Sequence, residues 1–404
     1  MNERPNAVIV SALRTPVGRY GGVLREVRPD DLSATVIAAL VGSSHIDPAT
    51  VDDVIWGCAN QAGEDNRNLG RMSGLLAGLP FSVPGTTVNR LCGSSLEAVI
   101  QGARGIRTGD METVIAGGAE SMSRAPYAVP KRQPGGPGNI TAYDTALGWR
   151  FPNSRMKEIF PLESMGETAE NVAEKFGITR EEQDRYAAES HARAVRAQKA
   201  GLFDEEIVPV DAPSGKGTAI RVSADEGPRP DTSVEKLAGL PPVFRPGGTV
   251  TAGNSSPLND GASGVLLMSE ERARREGLTP LARIAASGVA GVDPRYMGLG
   301  PIPAARAALA KAGLTLDDIG LIELNEAFAS QSIAVIRELG LRPERVNVQG
   351  GAIALGHPLG CSGTRILATL LHAMRRNDVR WGVAAMCIGV GQGIALVIEH
   401  QPRL

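Results

Sequence analysis

The chain lacks clustered cysteines, a large net charge of either sign and any apolar run long enough to cross a membrane. Its four cysteines stand at 58, 92, 361 and 387 of 404 residues, with no CxxC among them. They are too dispersed for a zinc knuckle, so no metal is expected and the thiols read as reduced. A formal charge of -2 and a pI near 6.3 provide no basic field for nucleic acid, so any anionic ligand must be met locally. No segment approaches a transmembrane span. Met1 to Pro5 is polar and leads into the strand-like Ala7-Val8-Ile9-Val10, which leaves no apolar region of a signal peptide. The terminal Gln401-Pro402-Arg403-Leu404 has proline where a peroxisomal address has a small residue. A soluble cytoplasmic enzyme is the expectation.

What the chain has in excess is glycine. The 49 glycines are about 12% of the residues, against roughly 7% in ordinary proteins, and this points to close backbone approaches. Two cysteines sit among them. Cys92 lies in Asn89-Arg90-Leu91-Cys92-Gly93-Ser94-Ser95, a loop opening into a helix, and a helix N-terminus favours thiolate. Cys387 lies in Met386-Cys387-Ile388-Gly389-Val390-Gly391-Gln392-Gly393, a run with few side chains that can offer N–H groups to an anion.

The two ends of the chain repeat one plan. Residues 32–60 read as an Ala-rich helix, a connection, Asp52-Asp53-Val54, then the strand-like Ile55-Trp56-Gly57-Cys58. In residues 302–328, Pro303 opens a helix over 304–312, Gly313 ends it, Asp317-Asp318-Ile319 follows, and Leu321-Ile322-Glu323-Leu324 leads into Asn325-Glu326-Ala327-Phe328. A helix opening at Cys92 and one opening at Gly360-Cys361-Ser362-Gly363 are each followed by a strand, at 113–116 and 381–385. The offset stays at roughly 265–268 residues. Two related α/β halves with a mixed, mostly parallel sheet are expected: residues 1–120 with 250–272, and residues 273–404. Residues 121–249, with the turn cluster Pro134–Gly138 and a charged helical stretch over 167–200, read as an insertion. The Arg272, Arg274 and Arg275 cluster reads as a solvated helix face.

With these motifs in order, the chain resembles the thiolases, which cleave or form 3-oxoacyl-CoA thioesters. The resemblance rests on Asn89–Ser95, Asn325–Phe328, Gly350–Gly360 and Cys387–Gly393, with Arg14-Thr15-Pro16, Gly117–Met122 and Thr249–Asn254 in support. It implies an α/β fold of duplicated βαβαβαββ halves forming a five-layered αβαβα core, with an inserted loop domain for CoA, in dimers or tetramers. The chemistry needs a nucleophile on the 3-carbonyl, a site for its oxyanion and a means to stabilise the departing enolate. Cys92 suits the nucleophile, because its acyl product is another thioester. His357, between Gly356 and Pro358, suits the base, since a near-neutral pKa allows uptake and release of the proton. Cys387 suits proton exchange with the acetyl-CoA carbon.

The resemblance further implies one oxyanion site from the N–H groups of Cys92 and Gly389, and another from His357 with a water held by Asn325. For CoA, a co-substrate rather than a permanent cofactor, it implies that Arg229 meets the adenine, Met165 and Phe244 line the pantetheine tunnel and Ser256 bonds the pantetheine. His45, His191, His372 and His400 receive no role. Val390, Ser95 and Ser164 depart from the usual glycine, glycine and histidine of the family. Those departures, with Gly148-Trp149-Arg150 and Gly63–Asn68, resemble the degradative group that includes 3-oxoadipyl-CoA thiolases. The carboxylate of such a substrate needs a cation or several N–H donors, and Lys131, Arg132, Arg150, Arg155 and Lys157 are the candidates. The alternatives are an acetoacetyl-CoA thiolase working in the condensing direction, a decarboxylating ketoacyl synthase, which would hold His or Asn in place of Cys387, and a non-catalytic acyl-CoA or lipid carrier, which would have lost part of the set.

Overall fold

The computed structural model describes residues 5–131, 140–214 and 217–400. Arg132, the Pro134–Gly138 cluster and Gln401–Leu404 lie outside them. The first half runs β1 (Ala7–Arg14), α1 (Pro29–Ser44), β2 (Asp53–Gly57), α2 (Leu69–Leu76), β3 (Gly85–Val88), α3 (Ser94–Thr108) and β4 (Thr113–Ser121). After α4 (Met165–Phe176) and α5 (Arg180–Lys199) comes β5 (Asn259–Ser269), which completes a βαβαβαββ unit. The second half runs β6 (Ala282–Gly291), α6 (Pro301–Ala312), β7 (Leu321–Leu324), α7 (Ala329–Leu339), α8 (Ser362–Arg376), β8 (Trp381–Ile388) and β9 (Gln392–Glu399). Pro301, not Pro303, opens α6, at a position where a missing N–H leaves no helical bond unmade.

The strand order is β7-β8-β9-β6-β1-β5-β4-β2-β3. Each half pairs two antiparallel neighbours and then a parallel one, and the halves join through the short β1–β6 pairing of Val8–Arg283 and Ile9–Ala282. The copies differ at one edge. The parallel β2–β3 pair runs from Val54–Gly85 to Gly57–Val88, but its counterpart beside β7 shrinks to the single bridge Ile322–Val346. A 3-10 turn over Pro343–Arg345 just before that bridge, and Asn347 in left-handed conformation just after it, leave no straight chain to pair.

Alternation along the strands produces the layers. Ile115 of β4 faces outward, with Trp56 of β2, onto Val36, Ile37 and Leu40 of α1, whereas its neighbours Val114 and Ala116 face inward. On the second half, Val383 and Ala385 of β8 face Ala305 and Leu309 of α6, whereas Ala384 and Met386 face inward. Both inward faces close on the same pair of helices, α3 and α8, through Leu96, Val99, Ile366 and Leu370. Helices, sheet, central helices, sheet and helices therefore make five layers, as the resemblance implies, although the strands pair mostly antiparallel and not mostly parallel as the sequence suggested. Leu96 and Ile366 have no exposed surface, and burying side chains of this size contributes about 1.5–3 kcal/mol each.

The central helices meet at their N-termini. The Ser95 hydroxyl donates to the carbonyl of Cys361 (3.1 Å) and accepts from Thr364 N–H (3.0 Å). Gly363 allows this approach, since a Cβ there would stand 2.5 Å from Leu96 N. Ser95, a departure from the family's glycine, thus ties one half to the other. The intervening segment supplies α4 and α5, which both pack on α7, while α5 also covers the short turn Ala352–Leu355. Both helices start on capping boxes, Ser164 with Glu167 and Thr179 with Glu182, each satisfying two end N–H groups.

Candidate active site

Cys92 sits in a tight turn ahead of α3. Leu91 takes a left-handed conformation (φ +47°), uncommon for a residue with a side chain and costly by about 1–3 kcal/mol. Hydrogen bonds hold it there: Asn89 Oδ1 accepts from Leu91 N–H (2.8 Å), and the Ser94 hydroxyl accepts from Arg90 N–H (2.9 Å) and donates to Leu91 O (2.6 Å). A Cβ on Gly93 would lie 2.6 Å from Ile388 Cδ1, so glycine lets the turn lie against the end of β8. The Cys92 sulphur is deep in the protein, although the residue keeps some exposed surface. Burial pushes its thiol up to about 11, against the opposing pull of the N–H groups of Gly389 and of Cys92 itself. Desolvation outweighs the pull of the helix end toward thiolate, so Cys92 needs a base to take its proton.

His357 faces the N-terminus of α8. Its Nδ1 lies 2.6 Å from the Ser362 hydroxyl, whose own proton is donated to Pro358 O (2.8 Å). The proton between them therefore belongs to Nδ1, which leaves the Nε2 lone pair free to accept one. Nε2 lies 3.4 Å from Asn325 Nδ2, and the Oδ1 of this fully buried asparagine has no hydrogen-bond partner among the described residues. Burial, with a smaller push from Arg365, lowers the imidazole to about 3. The near-neutral value expected from the sequence is thus corrected: His357 is held neutral. A proton delivered to it must be stabilised by a negative charge formed in the same step.

Cys387 ends β8 with 2% of its surface exposed, inside an apolar cluster of Ala169, Val250, Met297, Ala327 and Phe328. Burial first, then Cys92 nearby, pushes its thiol well above the usual range. The turn that follows puts Gly389 beside Met165 and Leu91, and carries Val390 (φ +64°) and Gly391 (φ +78°) in left-handed conformation. Met165 and Phe244 pack on the Cys387 cluster, with the Phe244 ring edge-on to Phe328 at 6.2 Å. The ring also lies over Gly166, where any Cβ would overlap it. Ser256 is pinned to the Asn325–Phe328 strip by its N–H on Ala327 O (3.0 Å).

Cys92, His357, Asn325, Cys387, Gly389, Met165 and Phe244 thus occupy one region, with Ser256 at its margin. Arg229 does not join them: it is exposed, and its N–H donates to His191 Nδ1 (3.2 Å). Among the candidate cations, Lys131, Arg155 and Lys157 are exposed. Half-buried Arg150 donates to Thr145 O and Asn60 Oδ1.

Three contributors had no role assigned from the sequence. Ser362 sets the His357 tautomer. Asn259 Oδ1 accepts His357 N–H (2.9 Å), while its Nδ2 donates to Gly18 O. Glu326, beside Asn325, accepts from Tyr186, Ser190, Asn347 and Ile353 N–H. Only the last had a sequence signal, its place in the Asn-Glu-Ala-Phe motif. Among the described residues, no group of three or more His, Cys, Asp or Glu is arranged to hold a metal ion.

Residues 7–271 match the family description "Thiolase, N-terminal domain", and residues 278–400 match "Thiolase, C-terminal domain". The beta-ketoadipyl-CoA thiolase of Acinetobacter baylyi is 53% identical, covering 98% of this chain and 99% of that one. The 3-oxoadipyl-CoA/3-oxo-5,6-dehydrosuberyl-CoA thiolase of Escherichia coli is 52% identical with the same coverage. The crystal structure of Bacillus anthracis acetyl-CoA acetyltransferase superposes with a TM-score of 0.94 at 43% identity, covering 99% of this chain and all of the other.

Proposed function

The chain belongs to the thiolase family, and from that premise we propose how its residues divide the work and which substrate they serve. It is an acyltransferase that cleaves a 3-oxoacyl-CoA with CoA to acetyl-CoA and a shortened acyl-CoA. In our reading, Cys92 Sγ attacks the 3-carbonyl and its proton passes to His357 Nε2. Once protonated, His357 Nε2 forms one oxyanion site with a water held by Asn325, and the N–H groups of Cys92 and Gly389 form another. The C2–C3 bond breaks, its electron pair goes to C2, and C2 takes the proton of Cys387. Fresh CoA then attacks acyl-Cys92; its thiol proton and the one on His357 return both cysteines to thiols. The site geometry supports this cycle, because the Gly389 N–H already points at the Cys92 sulphur.

We assign the CoA contacts to the same segment as α4. Met165 and Phe244 would flank the pantetheine as it reaches Cys387, Ser256 would bond it, and exposed Arg229 would meet the adenine, with no cofactor bound permanently. Residues 1–120 with 250–272, 121–249 and 273–404 are the units of this reading, and the 121–249 segment takes up CoA. Placement in the cytoplasm belongs to the same reading; among the described residues no helix is long and apolar enough to cross a membrane.

The substrate we propose is 3-oxoadipyl-CoA, whose cleavage yields acetyl-CoA and succinyl-CoA. Full-length identity of 52–53% to the two relatives named for this acyl group carries the reading. Among the described candidates, Arg150 is the one cation that is half-buried and bonded only to neutral acceptors, and we assign it the distal carboxylate. A charge-assisted hydrogen bond contributes about 1.5–3 kcal/mol, so kcat/KM should favour 3-oxoadipyl-CoA over the neutral 3-oxohexanoyl-CoA by roughly 10- to 150-fold. Equal efficiency would assign the enzyme to general 3-oxoacyl-CoA breakdown instead.

A further inference from the structure

Glu120, near the end of β4, is a buried carboxylate with 2% of its surface exposed. Its neighbours are backbone donors from both halves of the chain. Oε2 accepts from Ala59 N–H (2.9 Å) and from Gly360 N–H (2.9 Å), and Oε1 accepts from Asn60 N–H (3.1 Å). Gly360 lies three residues after His357 and two before Ser362, so this bond fixes the loop that carries the imidazole and its partner. Ala59 O accepts from Asn89 Nδ2 (3.0 Å), and the same asparagine holds Leu91 N–H, one residue before Cys92. The carboxylate is therefore the common anchor of the nucleophile's turn and the base's loop. The glycine in this contact permits nothing larger: a Cβ on Gly360 would stand 2.5 Å from Ala119 O and 2.9 Å from Cys58 Cα.

We propose that Glu120 is a positioning residue, whose carboxylate sets Cys92 and His357 in register by gripping one backbone strip from each half. The proposal rests on the roles of Cys92 and His357 given above. Three N–H donors converge on it and call for the ionised form, because a protonated oxygen would turn its own O–H toward one of them. Burial opposes ionisation and raises the carboxyl to about 7, while the three N–H bonds pull it down. The titratable groups facing it are Cys58 from the end of β2, Cys92 from the turn before α3 and Cys361 from the start of α8, and its negative charge pushes all three thiols up. Asp65, beyond Cys58, is the other nearby acid acting on that thiol.

The test is Glu120→Gln in the full-length enzyme, with Glu120→Asp as the charge-preserving control. An amide retains the shape but aims an NH2 at a donor. In the wild type, acetyl-CoA should place one acetyl on Cys92, seen by intact mass; its absence would overturn the Cys92 assignment itself, whatever Glu120 does. In Glu120→Gln, acetyl transfer and kcat should fall about 10- to 100-fold, the scale of a misplaced reacting group, with KM for acyl-CoA little changed. The pH midpoint for iodoacetamide alkylation of Cys92 should move down, because a negative charge has gone. Slower acetyl transfer at unchanged KM and an unchanged urea unfolding midpoint is the signature of lost positioning, whereas a packing defect would lower the unfolding midpoint as well. Glu120→Asp should keep the alkylation midpoint and lose part of kcat, and it decides the matter if the glutamine variant does not fold. Wild-type transfer rates in either folded variant would overturn the proposal.

Discussion

Burial pushes the thiols of both Cys92 and Cys387 upward, but their surroundings differ. Cys92 keeps an opening to the surface and two N–H groups at its sulphur, whereas Cys387 is closed in by apolar side chains. Cys387→Ala should therefore separate the half-reactions. Acetyl transfer to Cys92 should survive, while condensation to acetoacetyl-CoA falls roughly 100-fold or more, the scale of a lost general acid–base group. His357→Ala should impair both steps. Normal condensation by the Cys387 variant would end the two-thiol account. The proposed site residues stood out in the sequence because Cys92, His357 and Cys387 each sit among glycines in motifs of their own. Ser362 and Glu120 did not. The donors to Glu120 lie 61, 60 and 240 residues away, and no periodicity reports a meeting over such separations. Nor could the sequence supply the burial that raises the Cys92 thiol and lowers the His357 imidazole.

Among the elements, the turn between β8 and β9 shows a conflict between a residue and its backbone. Val390 is β-branched and half-buried, yet stands at φ +64°, where the family's glycine would be free of strain. Relief of about 1–3 kcal/mol of strain, less about 0.5–1 kcal/mol of added chain entropy, means that Val390→Gly should raise stability by about 1 kcal/mol. The midpoint of urea unfolding checks this; a lower midpoint would mean that the valine's packing outweighs its backbone. Element types were readable from periodicity and caps, down to the repeated order of helix and strand. The edge of the second half was not, since the loss of a strand to the Ile322–Val346 bridge follows from a local bend. The Gly63–Asn68 stretch carried only its likeness to the degradative group in the sequence, and its bonding emerges in the fold. There Asp65 accepts from Gly63 and Arg67 N–H, and Asn68 caps α2.

At the scale of the whole molecule, β3 is an open edge of the sheet, and Phe81 and Leu76 stand 88% and 56% exposed beside it. Unpaired edges and large exposed apolar side chains are features that self-association covers. We therefore propose a homo-oligomer, dimer or tetramer, joined across this edge. Sedimentation velocity should show a dimer or larger species at micromolar concentration, and Phe81→Glu should shift it to smaller particles. A wild-type monomer, or an unchanged variant, would move the interface elsewhere or abolish it. The meeting of α3 and α8 has a different consequence. In the reading proposed above, the two copies of the repeat are not interchangeable, since one holds the nucleophile and the other the base, the second thiol and the Asn325 amide. Neither half could then run the reaction alone, and separated halves would have to reassociate at this seam before activity returned.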